Sequence, residues 1–334
     1  RGVFYNEQKD YDKAMADFNE AIRLDPQSAY AYYSRGNAYH AKKDYDRAIA
    51  DYTEAIRLNP KSESAYNNRG SVYYAQQDYD KAITDYTEAI RLDPQYATAY
   101  NNRGAVYHAQ KDYDRAIADY TEAIRLDPKS VGAYNSRGVA YHAKKDYDRA
   151  IADYTESLRL NPQDATVSYA RGLAYSNKKD YDRAVADYTE SIRLDPKSAY
   201  VYQNRGNAYQ NKKDYDRAIA DYTECIRLDP QYTLAYNNRG VVYHAKQDYD
   251  RAIADLNEVI RLNPQSASAY QNRGVAYHDK KDYGKAMADF NEAIRLDPQN
   301  ASAYQNRGNA YRFQGNNQQA QADYAKAKEL GYTP

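Results

Sequence analysis

The chain has 334 residues, with 47 basic and 47 acidic side chains, 42 tyrosines, one cysteine and no tryptophan. This balance gives no global field toward nucleic acid or an anionic membrane. Lone Cys225 excludes an intrachain disulfide or zinc spacing, and no apolar run approaches a membrane span. The mean hydropathy of −1.05 understates the core, because tyrosine counts as polar yet buries a large ring. The first residue is Arg1, which leaves a removed targeting segment and the cellular compartment open.

Along the chain, Arg-Gly occurs at 1–2, 35–36, 69–70, 103–104, 137–138, 171–172, 205–206, 239–240, 273–274 and 307–308, always 34 residues apart. Residues 1–28 are the tail of one unit and residues 29–334 hold nine full units. A constant period of this size predicts stacked repeats. Residues 1–28 lack the start of a first helix, so the expectation is a chain excised from something longer.

In residues 97–130, Tyr100, Arg103, Gly104 and Tyr107 keep the i, i+3, i+4, i+7 spacing of one helix face. Asp112 is placed to cap a second helix, whose stripe is Tyr113, Ala116, Ile117, Tyr120, Ala123, Ile124 and Leu126. Asp127-Pro128 ends it, and Lys129-Ser130 leads into the next unit. Each unit therefore reads as a helical hairpin with too little core to stand alone. In the last unit Lys328 replaces the usual isoleucine, the more polar outer face expected of a terminal repeat.

Gly104, Tyr107, Ala116, Tyr120, Ala123 and Pro128 match the landmarks of the tetratricopeptide repeat, which the chain resembles over nearly its whole length. Two departures stand out. The usual leucine before the glycine is arginine, and the first aromatic is tyrosine rather than tryptophan. The resemblance implies an all-α, right-handed superhelical solenoid of stacked antiparallel helix pairs whose first helices line a concave groove. It also implies binding of proteins or peptides, with no catalysis and no cofactor.

Successive helical residues turn by about 100°, so Thr98, Asn101, Asn102, Ala105, His108 and Ala109 lie opposite the packed face and are expected in the groove. The arginines face the other way. Each unit also carries an aspartate in its second helix, from Asp17 to Asp323, and a semi-buried guanidinium needs a carboxylate. An Arg-to-Asp ladder is the expectation. The rival is a surface pair four residues apart, such as Arg115 with Asp119.

The slot before the arginine holds Asn68, Asn102, Asn204, Asn238, Asn272 and Asn306, interrupted by Ser34, Ser136 and Ala170. An asparagine amide both donates and accepts, so a row of them suits a peptide backbone. The row is similar to that in the repeat superhelix of O-linked N-acetylglucosamine transferase, with two short tracks here. The competing reading is a solvated polar face. Tyr30, Tyr33, Tyr169 and Tyr200 add aromatic faces, Leu234, Val241 and Val275 an apolar middle, and Arg312 with Phe313 a cationic end. The groove lacks the lysines of a carboxylate clamp.

His40, His108, His142, His244 and His278 share one slot, but neighbouring units lie at least roughly 8–10 Å apart, too far for two zinc-bound nitrogens; no metal is expected. Asn300-Ala301-Ser302 is an isolated glycosylation sequon, and the Lys-Lys-Asp turns read as solvated edges. The expected function is a scaffold holding an extended peptide. The alternatives are a substrate-recruiting or regulatory arm of a larger enzyme, or self-assembly through the N-terminal end.

Overall fold

The computed structural model describes residues 1–333, which form twenty helices and no strands. A typical hairpin pairs Ala97–Ala109 with Tyr113–Leu126. Asp112 caps the second helix by accepting the Arg115 N–H at 3.1 Å. Lys111, at φ 62°, turns the chain between the helices in the left-handed region; lysine or glutamine stands there until the last turn, which uses Gly315 at φ 80°.

Close approach explains the glycine after the arginine. A Cβ on Gly104 would sit 2.8 Å from the Tyr120 ring, so only a bare backbone lets that ring lie flat on the first helix. The buried line of the first helix is Ala99, Gly104 and Val106; Tyr100, Arg103 and Tyr107 flank it half-buried. The periodicity placed the packed face correctly but centred it on its rim, since alanine and valine carried the tightest contacts.

The chain divides into two compact bodies, Arg1–Gln163 and the residues from Asp164 on. In the N-terminal body, Ala48 and Tyr52 of one repeat close on Val72 of the next. In the C-terminal body, Ala184 and Tyr188 close on Val201 and Ala208 in the same way. Neighbours complete each other's core, as the thin single hairpin requires.

The arginines belong to this scaffold. Arg103 forks onto Asp119 with Nε and Nη2 at 2.8 Å each, its side chain 18% and its partner's 9% exposed. The same bidentate pair recurs at Arg35–Asp51, Arg69–Asp85, Arg137–Asp153, Arg171–Asp187, Arg205–Asp221, Arg239–Asp255, Arg273–Asp289 and Arg307–Asp323. The third nitrogen crosses to the previous repeat: Arg103 Nη1 donates to Thr87 Oγ1 at 3.0 Å, and Arg307 Nη1 to Asn291 Oδ1 at 2.7 Å. One guanidinium thus ties three helices, a planar fork that lysine would not reproduce. Arg115 pairs instead with Asp112, so the surface rival for Asp119 is not formed. The partial repeat departs from the pattern. Arg1 lies beside Tyr5 and feels the charge of Asp17, but no fork is formed and Asp17 Oδ2 is buried without a hydrogen bond.

Smaller expectations resolve similarly. Cys225 is buried, and burial pushes its thiol up to about 11, which leaves it a small apolar group. The Lys-Lys-Asp turns do more than sit in water, because Lys42 reaches Asp12 of the previous repeat at 2.6 Å. Lys144 and Lys280 reach Asp114 and Asp250 in the same way.

Candidate functional site

The faces opposite the packed sides carry the candidate residues, and the asparagines there are half-buried rather than free in solvent. Stacking brings the amides of all but Asn306 into bonds with the first helix of the previous repeat. In the N-terminal body, Asn68 Nδ2 donates to Asn37 Oδ1 at 2.9 Å and to the Tyr33 hydroxyl at 3.0 Å. Asn102 Nδ2 donates to Asn67 Oδ1 at 3.0 Å. In the C-terminal body, Asn204 donates to the Tyr169 hydroxyl at 3.1 Å, Asn238 to Asn207 at 2.9 Å and Asn272 to Asn237 at 3.1 Å. Asn306 makes no side-chain hydrogen bond among the described residues.

This interlock was not anticipated. It narrows the picture of an amide offering both its donor and its acceptor to a ligand: Asn68 and Asn204 spend both amide hydrogens within the fold, and Asn102, Asn238 and Asn272 spend one of two. Asn68 Oδ1 and Asn238 Oδ1 also accept from the preceding residue, at 3.1 and 3.3 Å. The Oδ1 atoms of Asn102, Asn204 and Asn272 remain available. Asn67, Asn207 and Asn237, which receive these bonds, were missed; their signal was the amide one position earlier or three later on the same helix.

The chain of amides breaks where the asparagine is missing. Asn101 stands where Asn67 and Asn237 do, but the residue due to donate to it is Ser136, and Asn101 Oδ1 is buried without a partner. A serine is too short for that reach.

The aromatic residues fall into two groups. Tyr30 is 64% exposed and stands with Tyr33, Asn59, Ser62 and Ser64 around a shallow pocket of about 250 Å³. Tyr169 and Tyr200 meet edge to face at 4.9 Å, and burial beside Tyr200 and Tyr232 pushes the Tyr169 phenol up to about 12. At the end of the C-terminal body Phe313 stacks on Tyr283 at 5.8 Å, with the Arg312 guanidinium 5.9 Å from its ring centre.

Every histidine packs against the first tyrosine of its own second helix: His40 on Tyr45, His108 on Tyr113, His142 on Tyr147, His244 on Tyr249 and His278 on Tyr283. Burial holds His40, His108 and His142 below the ordinary imidazole range. In the C-terminal body Asp279 sits between two imidazoles, 2.8 Å from His244 Nε2 and 3.0 Å from His278 Nδ1. Burial works to raise this carboxyl, but the bonds from His278 and His244 hold it below its usual value. Among the described residues no group of His, Cys, Asp or Glu is arranged to hold a metal, and no helix is long and apolar enough to cross a membrane. The asparagine of the sequon is engaged: Asn300 caps its helix through the Ala303 N–H and donates to Gln271 at 2.8 Å.

Helical hairpins that stack and complete one another's cores, with a polar, aromatic face on their first helices, define a repeat-built all-α protein. The chain belongs to the tetratricopeptide-repeat family: models of that repeat match residues 2–43, 36–77, 70–111 and 177–213, then 97–130, 131–164 and 199–232, then 221–254, 240–308 and 301–330. Such repeats generally mediate protein–protein contacts and carry no chemistry of their own. Among curated proteins no match is found. Similar solved structures include YrrB, described as a TPR protein with an unusual peptide-binding site (TM-score 0.51, 23% identity, covering 59% of this chain and 97% of that one). A tetratricopeptide repeat protein from Parabacteroides merdae (0.54, 20%, 75% and 99%) and PilF of Pseudomonas aeruginosa (0.54, 21%, 66% and 96%) share the fold.

Proposed function

We propose that the chain is a protein-interaction scaffold that holds an extended peptide segment of a partner along the first-helix faces. The observation that carries this reading is the committed Nδ2 of Asn102, Asn204 and Asn272, which fixes each amide and leaves its Oδ1 without an internal donor. An acceptor fixed before binding loses little freedom when a peptide N–H arrives. Asn306 adds a further acceptor, and Tyr169 with Tyr200 supplies an aromatic wall beside the row. YrrB's described peptide-binding site makes a peptide a ligand this architecture accepts. Each contact is worth about 0.5–1.5 kcal/mol net, so natural affinity centres on about micromolar once ordering of the peptide is subtracted.

The test is capture from a displayed library of random peptides, wild type against a variant with Asn204, Asn238, Asn272 and Asn306 changed to alanine. The variant loses the interlocking bonds as well, so its helicity and melting are measured first. A folded variant that captures peptides as well as wild type rules the amide row out.

A further inference from the structure

The aromatic position of the second helix is tyrosine at 52, 86, 120, 154, 188, 222 and 324 and phenylalanine at 18 and 290; in the repeat 233–266 alone it is Leu256. Elsewhere the ring fills the space in front of the glycine: a Cβ on Gly206 would meet the Tyr222 ring at 2.7 Å, and on Gly274 the Phe290 ring at 2.6 Å. The Tyr222 hydroxyl then continues to Asn207 Oδ1 at 2.8 Å. At Gly240 the nearest atom to such a Cβ is Leu256 Cγ at 3.2 Å, and the partner position of Asn207 is Val241. The ring is missing and the polar atom that would meet its tip is missing with it. What remains is a pocket of about 100 Å³ lined by Gly240, Val241, His244, Leu256, Asn272 and Val275.

The polar groups of the rim are not competing for a guest. His244 Nε2 is bonded to Asp279, and Asn272 Nδ2 to Asn237. Asn272 Oδ1 is left to accept. Val241, His244 and Val275 are half-buried, so the pocket opens to solvent rather than being sealed. A largely apolar recess of this kind gains by admitting an apolar group, which removes its walls from water.

Resting on the reading given under Proposed function, we propose that this pocket takes the phenyl ring of a phenylalanine in the bound peptide, with Asn272 Oδ1 accepting that segment's backbone N–H. The repeat omits its own ring and receives one from the partner. A charged side chain is excluded by the valine and leucine walls, and a second hydroxyl has no acceptor where Val241 replaces asparagine.

Toluene, the phenylalanine side chain alone, tests the pocket without any peptide. On methyl-labelled full-length protein, titration with toluene shifts the Val241, Leu256 and Val275 methyl resonances saturably. In Leu256→Phe, which restores the neighbouring pattern that Phe290 fills beside Gly274, the Val241 and Val275 shifts vanish and the melting temperature rises. Val241→Asn, the residue found at 207, provides a second variant, in which the shifts fall at least several-fold. Peptides selected on wild type carry an aromatic residue at one fixed place, and selection on Leu256→Phe loses it. Absent shifts, or shifts unchanged in Leu256→Phe, overturn the pocket even if peptide capture stands. Saturable toluene binding with no peptide capture leaves the pocket and removes the scaffold reading instead.

Discussion

The two bodies share one scaffold and differ in how their face side chains are satisfied. In the N-terminal body Asn101 keeps a buried oxygen without a partner, and His108 keeps a buried Nε2 in the same condition. In the C-terminal body the residue equivalent to Asn101, Asn237, accepts from Asn272, and His244 Nε2 and His278 Nδ1 share the carboxylate of Asp279, although His278 Nε2 is itself buried without a partner. Each difference traces to a single side chain: Ser136 where Asn272 would stand, and alanine at 109 and 143 where Asp279 stands. The packing that forms the hairpins is thus indifferent to which face residue is present. The face can vary while the arginine fork keeps the stack together.

That separation is breakable. Arg103→Ala and Arg239→Ala remove the same fork from the two bodies, each leaving a buried carboxylate, and each should cost on the order of 3–5 kcal/mol. The exposed change Lys129→Ala should cost almost nothing. Denaturant melts showing unequal losses for the two arginines, or losses no larger than for Lys129, would contradict a common scaffold.

The histidines sharpen the contrast through pH. Burial lowers the proton affinity of His108 in the folded state, so the unfolded chain binds more protons as pH drops below about 6.5. The stability it supports is present above that value and is lost on acidification. Asp279 has the opposite origin but the same direction: its lowered carboxyl stabilises above the usual carboxylate range, and the contribution fades only as pH falls through its folded value. Between pH 7 and 5, then, the N-terminal histidines should weaken their body while Asp279 stays ionised. Imidazole titration by NMR should place His108 below about 6.5, and the Asp279 carboxyl should titrate below 3.8. Asp279→Ala removes two hydrogen bonds and should cost about 1–3 kcal/mol at neutral pH.

A smaller effect of opposite sign is expected at the broken amide chain. Ser136→Asn supplies the missing donor for Asn101 Oδ1 and should stabilise by about 0.5–1.5 kcal/mol. The same gain should disappear when Asn101 is already alanine, which a double-mutant cycle measures directly.

Most of the scaffold was legible in the sequence, because the 34-residue period fixes which residues repeat and helical spacing fixes their faces. The pairing of Arg103 with Asp119 followed from the cost of an unpaired guanidinium and was found. Its third bond, to Thr87, was not, since that partner belongs to the previous repeat and only the stacking distance brings it near. The amide interlock escaped for the same reason. A single-helix projection put Asn102 on an open face, whereas its nearest polar neighbour, Asn67, lies one repeat back. Leu256 was different: the break in the aromatic column stands in the sequence, but whether Val259 or another neighbour filled the space could be answered only by the packing.

The central claim is that the fixed asparagine oxygens read a partner's backbone. The direct measurement is an N-methyl scan of a selected peptide, titrated calorimetrically against the full chain. N-methylation removes one backbone donor at a time and leaves the side chains in place. Methylation at the residues facing Asn204, Asn272 and Asn306 should weaken binding by about 2- to 13-fold each, the equivalent of about 0.5–1.5 kcal/mol. The same methyl groups should have little effect on whatever binding the four-alanine variant retains. Equal affinity for every N-methylated peptide on the wild-type chain would contradict backbone recognition by these amides.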